Sequence, residues 1–269
     1  LMKFDLHTHH QRCGHAEGNI REYIDEAVKL GLECIGISDH SPFFGEEADH
    51  FKPWVAMAKS EFQSYVEEVQ QLKKEYEGKI HVLLGVESDY FPEHEALYRD
   101  VYRHYPFDYI IGSVHVSNGY DLFNRKRWER ITEQQAIIEK ETYYQLIKMS
   151  AESQMFDVLG HIDALKGFYP EIAHLKTEAV DDALKVIAES GSVIEVNTSG
   201  KTKDCGGWYP SMDLLERAKF YGVEVTFGSD AHQPARVADD WLKVKQTLKE
   251  LGYQEWCIFQ SRQKRKLAL

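Results

Sequence analysis

The stretch FDLHTHH, residues 4–10, decides how the rest of the chain is read. It begins as a short strand with an apolar character, yet it ends on imidazoles at His7, His9 and His10 where an ordinary turn is expected. In extended backbone, residues i and i+2 point to the same side, so His7 and His9 aim at one point. The same spacing returns near the far end of the chain, where Asp230 and His232 in SDAH share a side if that segment is extended.

Outward from the first strand, short apolar or β-branched runs recur. They are KFDLH (3–7), ECIGIS (33–38), IHVLLGVE (80–87), DYIIGSVH (108–115), FDVLGH (156–161), SVIEVN (192–197) and EVTFGSD (224–230), with WCIF (256–259) weaker. Segments of helical periodicity lie between them, the pattern of parallel strands joined by crossover helices. Helices are expected after Asn19 and after Ser211, and over a long amphipathic run from about Trp54 to Tyr76. Gly31, Gly78, Gly191 and Gly222 close several of them.

Two α/β architectures fit this alternation, and the strand ends choose between them. A dinucleotide-binding sheet wants a GxGxxG turn after its first strand, whereas HTHHQRCGH cannot cradle a pyrophosphate. A closed barrel collects its chemistry from the C-terminal ends of its strands at one mouth. Here those ends carry His7 and His9, Asp39 and His40, Glu87, His115, His161, Asn197, and Asp230 with His232. A seven-stranded α/β barrel is the expectation, in a single domain spanning residues 1–269.

The chain has 269 residues, 43% hydrophobic and 28% charged, with no linker-like or low-complexity tract. A formal charge of −12 argues against a nucleic-acid or anionic-membrane surface. The basic run SRQKRKLAL at the end reads as a solvated tail. No apolar stretch is long enough to span a membrane and no signal-peptide pattern is seen, so the expected location is cytoplasmic. Cys13, Cys34, Cys205 and Cys257 are scattered without CxxC spacing, which suits free thiols.

A lone histidine at a strand end is usually just a hydrogen-bonded polar residue, and His10, His50, His81, His94, His104 and His174 receive that reading. Seven others, His7, His9, His15, His40, His115, His161 and His232, sit at strand ends or in the loops that follow. Together with Glu87 and Asp230 they form a thiolate-free imidazole and carboxylate set suited to Zn, Mn or Fe. If Glu87 bridges, these residues supply enough bonds for three divalent ions with positions left for water and substrate. Such ions can generate hydroxide at neutral pH and bind an anionic substrate despite the acidic surface.

Taken in order, DLHTH, CGHAEG, ISDHSPF, GVESDY, IGSVH, LGH, EVNTSG and FGSDAH, spread over residues 5–232, resemble the polymerase and histidinol phosphatase (PHP) family, most closely its histidinol-phosphatase branch. The resemblance implies a distorted (β/α)7 TIM-like barrel with three divalent metal ions at the strand C-termini. One ion would take His7, His9, Glu87 and Asp230; a second Glu87, His115 and His161; a third His15, His40 and His232. The implied activity is hydrolysis of a small-molecule phosphomonoester, L-histidinol phosphate in histidine biosynthesis, by a metal-bridging hydroxide attacking phosphorus in line. Asp230 would act as a ligand or relay a proton to the leaving alkoxide, and Asp39 would orient an imidazole or cap a strand.

Where the family often carries arginines for the phosphate, this chain has Lys166 in GHIDALKGF and Lys201 in NTSGKTK, and lysine offers a point charge rather than a fork. Arg12, Asn197 and Ser199 are further substrate candidates, each with a plain loop or turn role as its alternative. Other readings are a phosphatase for phosphotyrosine or nucleotides, an amidohydrolase using Glu87 as its bridging carboxylate, or a metal-carrying interaction module without turnover.

Overall fold

The computed structural model describes residues 2–269. Its strands, in chain order, are β1 Phe4–Asp5, β2 Cys34–Ile37, β3 His81–Leu84, β4 Glu87–Asp89, β5 Ile111–Ser113, β6 Val116–Ser117, β7 Tyr120–Asp121, β8 Val158–Leu159, β9 Val193–Asn197, β10 Val225–Gly228, β11 Glu255–Gln260 and β12 Gln263–Ala268. The helices are α1 Ile20–Lys29, α2 Phe62–Glu75, α3 Glu95–Tyr102, α4 Glu133–Ser153, α5 Ala179–Ser190, α6 Met212–Phe220 and α7 Trp241–Glu250.

Two parallel sheets carry the architecture, β1-β2-β3 and β10-β9-β8-β5-β4. They meet at two seams. At one, a parallel bridge joins Thr8 to Ala231, with His9 N donating to Ala231 O at 2.9 Å and Leu6 N to Phe227 O at 3.3 Å. At the other, His40 bridges Glu87, and Ser41 N donates to Glu87 O at 2.9 Å. The staves therefore follow one another around a ring in sequence order, and single bridges rather than continuous ladders close it. That is the distortion of this (β/α)7 barrel, and it lies where the metal-ligand candidates cluster.

The run IHVLLGVE, expected as one strand, is divided between the two sheets. At Gly85 the ladder gives way to side chains: Tyr65 Oη donates to Gly85 O at 2.6 Å and Ile37 O at 3.0 Å, and a Cβ on Gly85 would lie 2.4 Å from Tyr109 Cζ. Tyr109 is fully buried, and its hydroxyl donates to Leu6 O across the barrel interior. Gly36 makes the same allowance, since a Cβ there would meet Tyr109 Oη at 2.0 Å.

α1 begins as expected. Asn19 Oδ1 accepts from Glu22 N at 3.0 Å and Glu22 Oε2 accepts from Asn19 N at 2.6 Å, a reciprocal cap that satisfies two otherwise free amides. Its Ile20, Tyr23, Ile24 and Ala27 form the buried stripe. Other expectations are corrected. The run from Trp54 to Tyr76 is α-helical only over Phe62–Glu75, led in by a 3-10 turn at Lys59–Glu61, because Pro53 and the segment after it fold back over Gly14, whose positive φ of 86° and missing side chain admit Pro53 O. The basic tail is not solvated coil: β12 pairs antiparallel with β11, with Lys264 and Lys266 at 2.7 and 2.9 Å from Glu224. The hairpin seats Trp256 edge-on against Phe4 at 4.7 Å.

Gly36→Ala tests the plugged interior. The added methyl collides with a rigid ring that has nowhere to retreat, so the variant should lose about 2 kcal/mol in a denaturant melt. Unchanged stability would mean that Tyr109 can be displaced freely.

Candidate metal centre

Thr8 is the hinge on which the first ligand pair turns. Its Oγ1 donates to Gly36 O at 2.7 Å, facing β2, so the alternation sends His7 and His9 together into the mouth. Each ring is then held from behind. His7 Nδ1 lies 2.7 Å from Glu195 Oε2, and His9 Nδ1 lies 3.0 Å from Asp39 Oδ1. With both Nδ1 atoms donating, both Nε2 atoms present lone pairs.

Those lone pairs face two carboxylate oxygens. His7 Nε2 and His9 Nε2 are 3.0 Å apart; Glu87 Oε2 lies 3.1 and 3.2 Å from them, and Asp230 Oδ1 3.3 and 2.9 Å. Four buried acceptors thus sit at the corners of a figure whose edges approach the roughly 3.3 Å expected when a tetrahedral cation binds at about 2.0 Å. Glu87 Oε2 and Asp230 Oδ1 have no hydrogen-bond donor among the described residues. The donor set fits a divalent cation.

Glu87 turns its other oxygen to a second group. Oε1 lies 3.0 Å from His161 Nε2 and 3.3 Å from His115 Nε2, with those two nitrogens 3.0 Å apart. His115 Nδ1 is fixed by Asp89 Oδ1 at 2.6 Å. His161 has φ 25°, an uncommon conformation for a residue with a side chain, and its buried Nδ1 has no partner among the described residues. Backbone held in this way at a convergence of ligands is characteristic of functional sites.

A third group is looser. His232 Nε2 lies 3.0 Å from His15 Nε2, with His232 Nδ1 donating to Asp230 O at 2.9 Å. His40 stands between groups: its ring is 5.0 Å from that of His15, and its Nδ1 is 3.3 Å from Glu87 Oε2. Donor atoms of His9, His40 and His232 also lie within 4.8 Å of one another, so His9 borders this group as well as the first. The SDAH segment is not extended as supposed. Asp230 takes a left-handed φ of 55°, and this turn, not alternation, brings Asp230 and His232 into the mouth.

Electrostatics follow from the crowding. Burial disfavours a charged His7, yet Asp230, Glu195 and Glu87 outweigh it and hold the imidazole well above its ordinary value; Asp230, Asp39 and Glu87 do the same for His9. Glu87 and Asp230, despite burial, are held well below the usual carboxylate range by the facing imidazoles, His7 foremost. His232 moves the other way, down to about 3, through burial and the positive charge of His9.

The substrate candidates separate. Asn197 is fully buried: its Nδ2 donates to Glu195 Oε1 at 2.7 Å and to Asp230 Oδ2 at 3.1 Å, so it orients carboxylates. Ser199 also donates to Asp230 Oδ2, at 3.2 Å, and it lines a cavity of about 660 Å³ above the metal-ligand candidates. Lys166, Lys201 and Arg12, expected at the phosphate, do not line that cavity. Lys166 Nζ is buried, 2.9 Å from Asp163 Oδ2 and 2.7 Å from Trp208 O; Lys201 Nζ pairs with Asp240 at 2.8 Å; Arg12 pairs with Glu68 at 2.7 Å on another face. The cations on the cavity wall are instead Lys203 and Arg236.

Two carboxylates that orient ligands were missed from the sequence, Glu195 and Asp89. Alternation marks both, since Glu195 is two residues before Asn197 in SVIEVN and Asp89 two after Glu87 in GVESDY. A Cβ on Gly228 would lie 2.4 Å from Glu195 Oε2, so that glycine is required for the carboxylate to reach His7.

Two outcomes are expected. Because His7 and His9 are held above 6.5, protons compete with cations through neutral pH; affinity should rise with pH across and beyond neutrality, by about one decade per pH unit for each proton displaced. Zinc titration calorimetry in buffers of different ionisation enthalpy reads this, and a buffer-independent heat contradicts it. Glu195→Gln should weaken zinc binding by about 10- to 100-fold while the fold is kept, since only the orienting charge behind His7 is lost.

Residues 5–199 match the PHP domain family. The chain is 32% identical to a probable histidinol-phosphatase of Deinococcus radiodurans, over 92% of this chain and 93% of that one. It is 31% identical to the histidinol-phosphatase of Bacillus subtilis, over 88% and 96%. In structure it resembles the histidinol phosphate phosphatase of Lactococcus lactis, crystallised with zinc, L-histidinol and phosphate, with a TM-score of 0.77 and 22% identity over 98% of both chains. Coverage at this level over both motif ends places the chain in the PHP family.

Proposed function

We propose that the chain is a metal-dependent phosphomonoesterase that hydrolyses L-histidinol phosphate to L-histidinol and phosphate, in the cytoplasm as a step of histidine biosynthesis. The observation that carries the reading is the set of bare acceptors around Glu87, open on one side to a cavity. Its relatives of the same length, named for that activity, give the substrate.

His7, His9, Glu87 and Asp230 would hold one cation, Glu87, His115 and His161 a second, and His15, His40 and His232 a third. Zinc, manganese and iron all suit this donor set. Divalent cations held there activate water at neutral pH and neutralise a phosphoryl group. The chain's own residues do the rest. Glu87 keeps two ligand groups in fixed register, each with one oxygen; Asn197 and Ser199 tie down Asp230 Oδ2 so that Oδ1 faces inward. Glu195, Asp39 and Asp89 fix the tautomers of His7, His9 and His115.

The phosphate's grip falls to Lys203 and Arg236. Lys203 Nζ sits 5.4 Å from the Phe123 ring centroid and 5.8 Å from that of Phe168, facing aromatic rings rather than a carboxylate among the described residues. Arg236 pairs with Asp239 at 2.7 Å through one nitrogen, leaving others for an anion. No helix among the described residues is long and apolar enough to cross a membrane.

Metal-defined protein should release phosphate from L-histidinol phosphate far faster than from phosphotyrosine peptide, nucleoside monophosphates or aryl phosphates. Comparable rates across that panel would remove the substrate assignment. Glu87→Gln should lower kcat by about three orders of magnitude, because the shared ligand of two groups is lost. Lys203→Ala should act mainly on KM.

A further inference from the structure

Above the metal-ligand candidates the cavity has one carboxylate on its wall that belongs to none of the three ligand groups, Asp121. It ends β7, the second strand of the small β6-β7 hairpin that follows His115. Its Oδ1 accepts from Phe123 N at 2.7 Å, which leaves Oδ2 free, and no lysine or arginine pairs with it among the described residues. The same turn sets Phe123, whose ring lies 6.4 Å from that of His115 and 6.5 Å from that of His161, directly beside the second ligand group.

Asp121 is solvent-exposed at the cavity edge, so water hydrates it in the free protein, but it still disfavours a phosphate dianion beside it unless the substrate brings a cation to it. Like charges in a partly enclosed cavity repel, and a site selects against ligands that leave its charge unmatched. Lys203, also on the cavity wall, sits over Phe123 and Phe168, while Asp121 accepts from Phe123 N, so cation and carboxylate both border Phe123 without pairing with each other. That is a two-pole arrangement: an anionic end for the lysine and the metal-ligand groups, a cationic end for Asp121.

We infer that Asp121 is a specificity residue that receives the ammonium group of the substrate, so that the site selects phosphomonoesters carrying a protonated amine near the ester. The inference rests on the phosphomonoesterase reading but not on histidinol phosphate as the particular ester. Asp121→Asn is a clean probe, because the amide oxygen can still accept from Phe123 N and only the charge is removed.

The experiment compares metal-loaded wild type and D121N on two pairs of substrates, L-histidinol phosphate against its deaminated analogue and 2-aminoethyl phosphate against ethyl phosphate. Wild type should prefer the amine in at least one pair, and D121N should lose about tenfold or more in kcat/KM on that amine, chiefly through KM, with the amine-free partner changed by no more than about twofold. An amine preference that survives in D121N, or no amine preference in wild type, overturns the inference. Should histidinol phosphate be inert while 2-aminoethyl phosphate shows the Asp121-dependent preference, the inference stands and the histidinol phosphate reading falls.

Discussion

The structure depends on a repulsion that the chain alone does not relieve. Buried Glu87 has two groups packed about it: His7 Nε2, His9 Nε2 and Asp230 Oδ1 around its Oε2, and His115 Nε2 and His161 Nε2 around its Oε1, with neighbours in each group about 3 Å apart. Leaving buried acceptors without donors costs free energy at each atom, and the low dielectric of the interior raises that cost. Cations at the centres of these groups remove it. Folding and metal uptake are therefore linked, and the orienting hydrogen bonds behind the rings matter because they fix each ring with its inner nitrogen toward the centre and raise its basicity toward a cation.

The barrel's irregularity belongs to the same arrangement. A continuous ladder at the two seams would keep strand ends in flat register, whereas single bridges at Thr8–Ala231 and His40–Glu87 let the ends curl over the mouth. Below, Tyr109 spans the interior, with Gly36 and Gly85 giving up their side chains to the ring. Asp230 and His161 meanwhile hold left-handed backbone. Conformations disfavoured locally persist when packing and hydrogen bonds around them over-determine the geometry.

The walls above the metal-ligand candidates explain how an acidic chain can act on an anion. Local charge, not net charge, decides: cations bound among the ligands, Lys203 and Arg236 on the rim, and aromatic faces that exclude water all favour a phosphoryl group. Trp54, read from sequence as part of a long helix, instead stands 65% exposed at the cavity rim. The absence of helix before Lys59 is what frees it for that position.

The sequence by itself determined the parallel α/β order, the capped start of α1 and the set of imidazoles and carboxylates at strand ends, because strand periodicity and ligand chemistry are local properties that spacing records. It also held the marks of Glu195 and Asp89 in the same alternation that exposed His7 and His9. Only the tertiary structure decided the roles of the lysines. Lys166, Lys201 and Lys203 lie in similar-looking loops, yet the first is held by Asp163 three residues before it and by the distant Trp208 carbonyl, and the second by the distant Asp240. The basic tail pairs locally with β11 as a hairpin, but its lysines find their partner in the distant Glu224, which only the fold brings to it. Which charge remains free for a ligand is a property of every neighbour at once, and no stretch of sequence contains all of them.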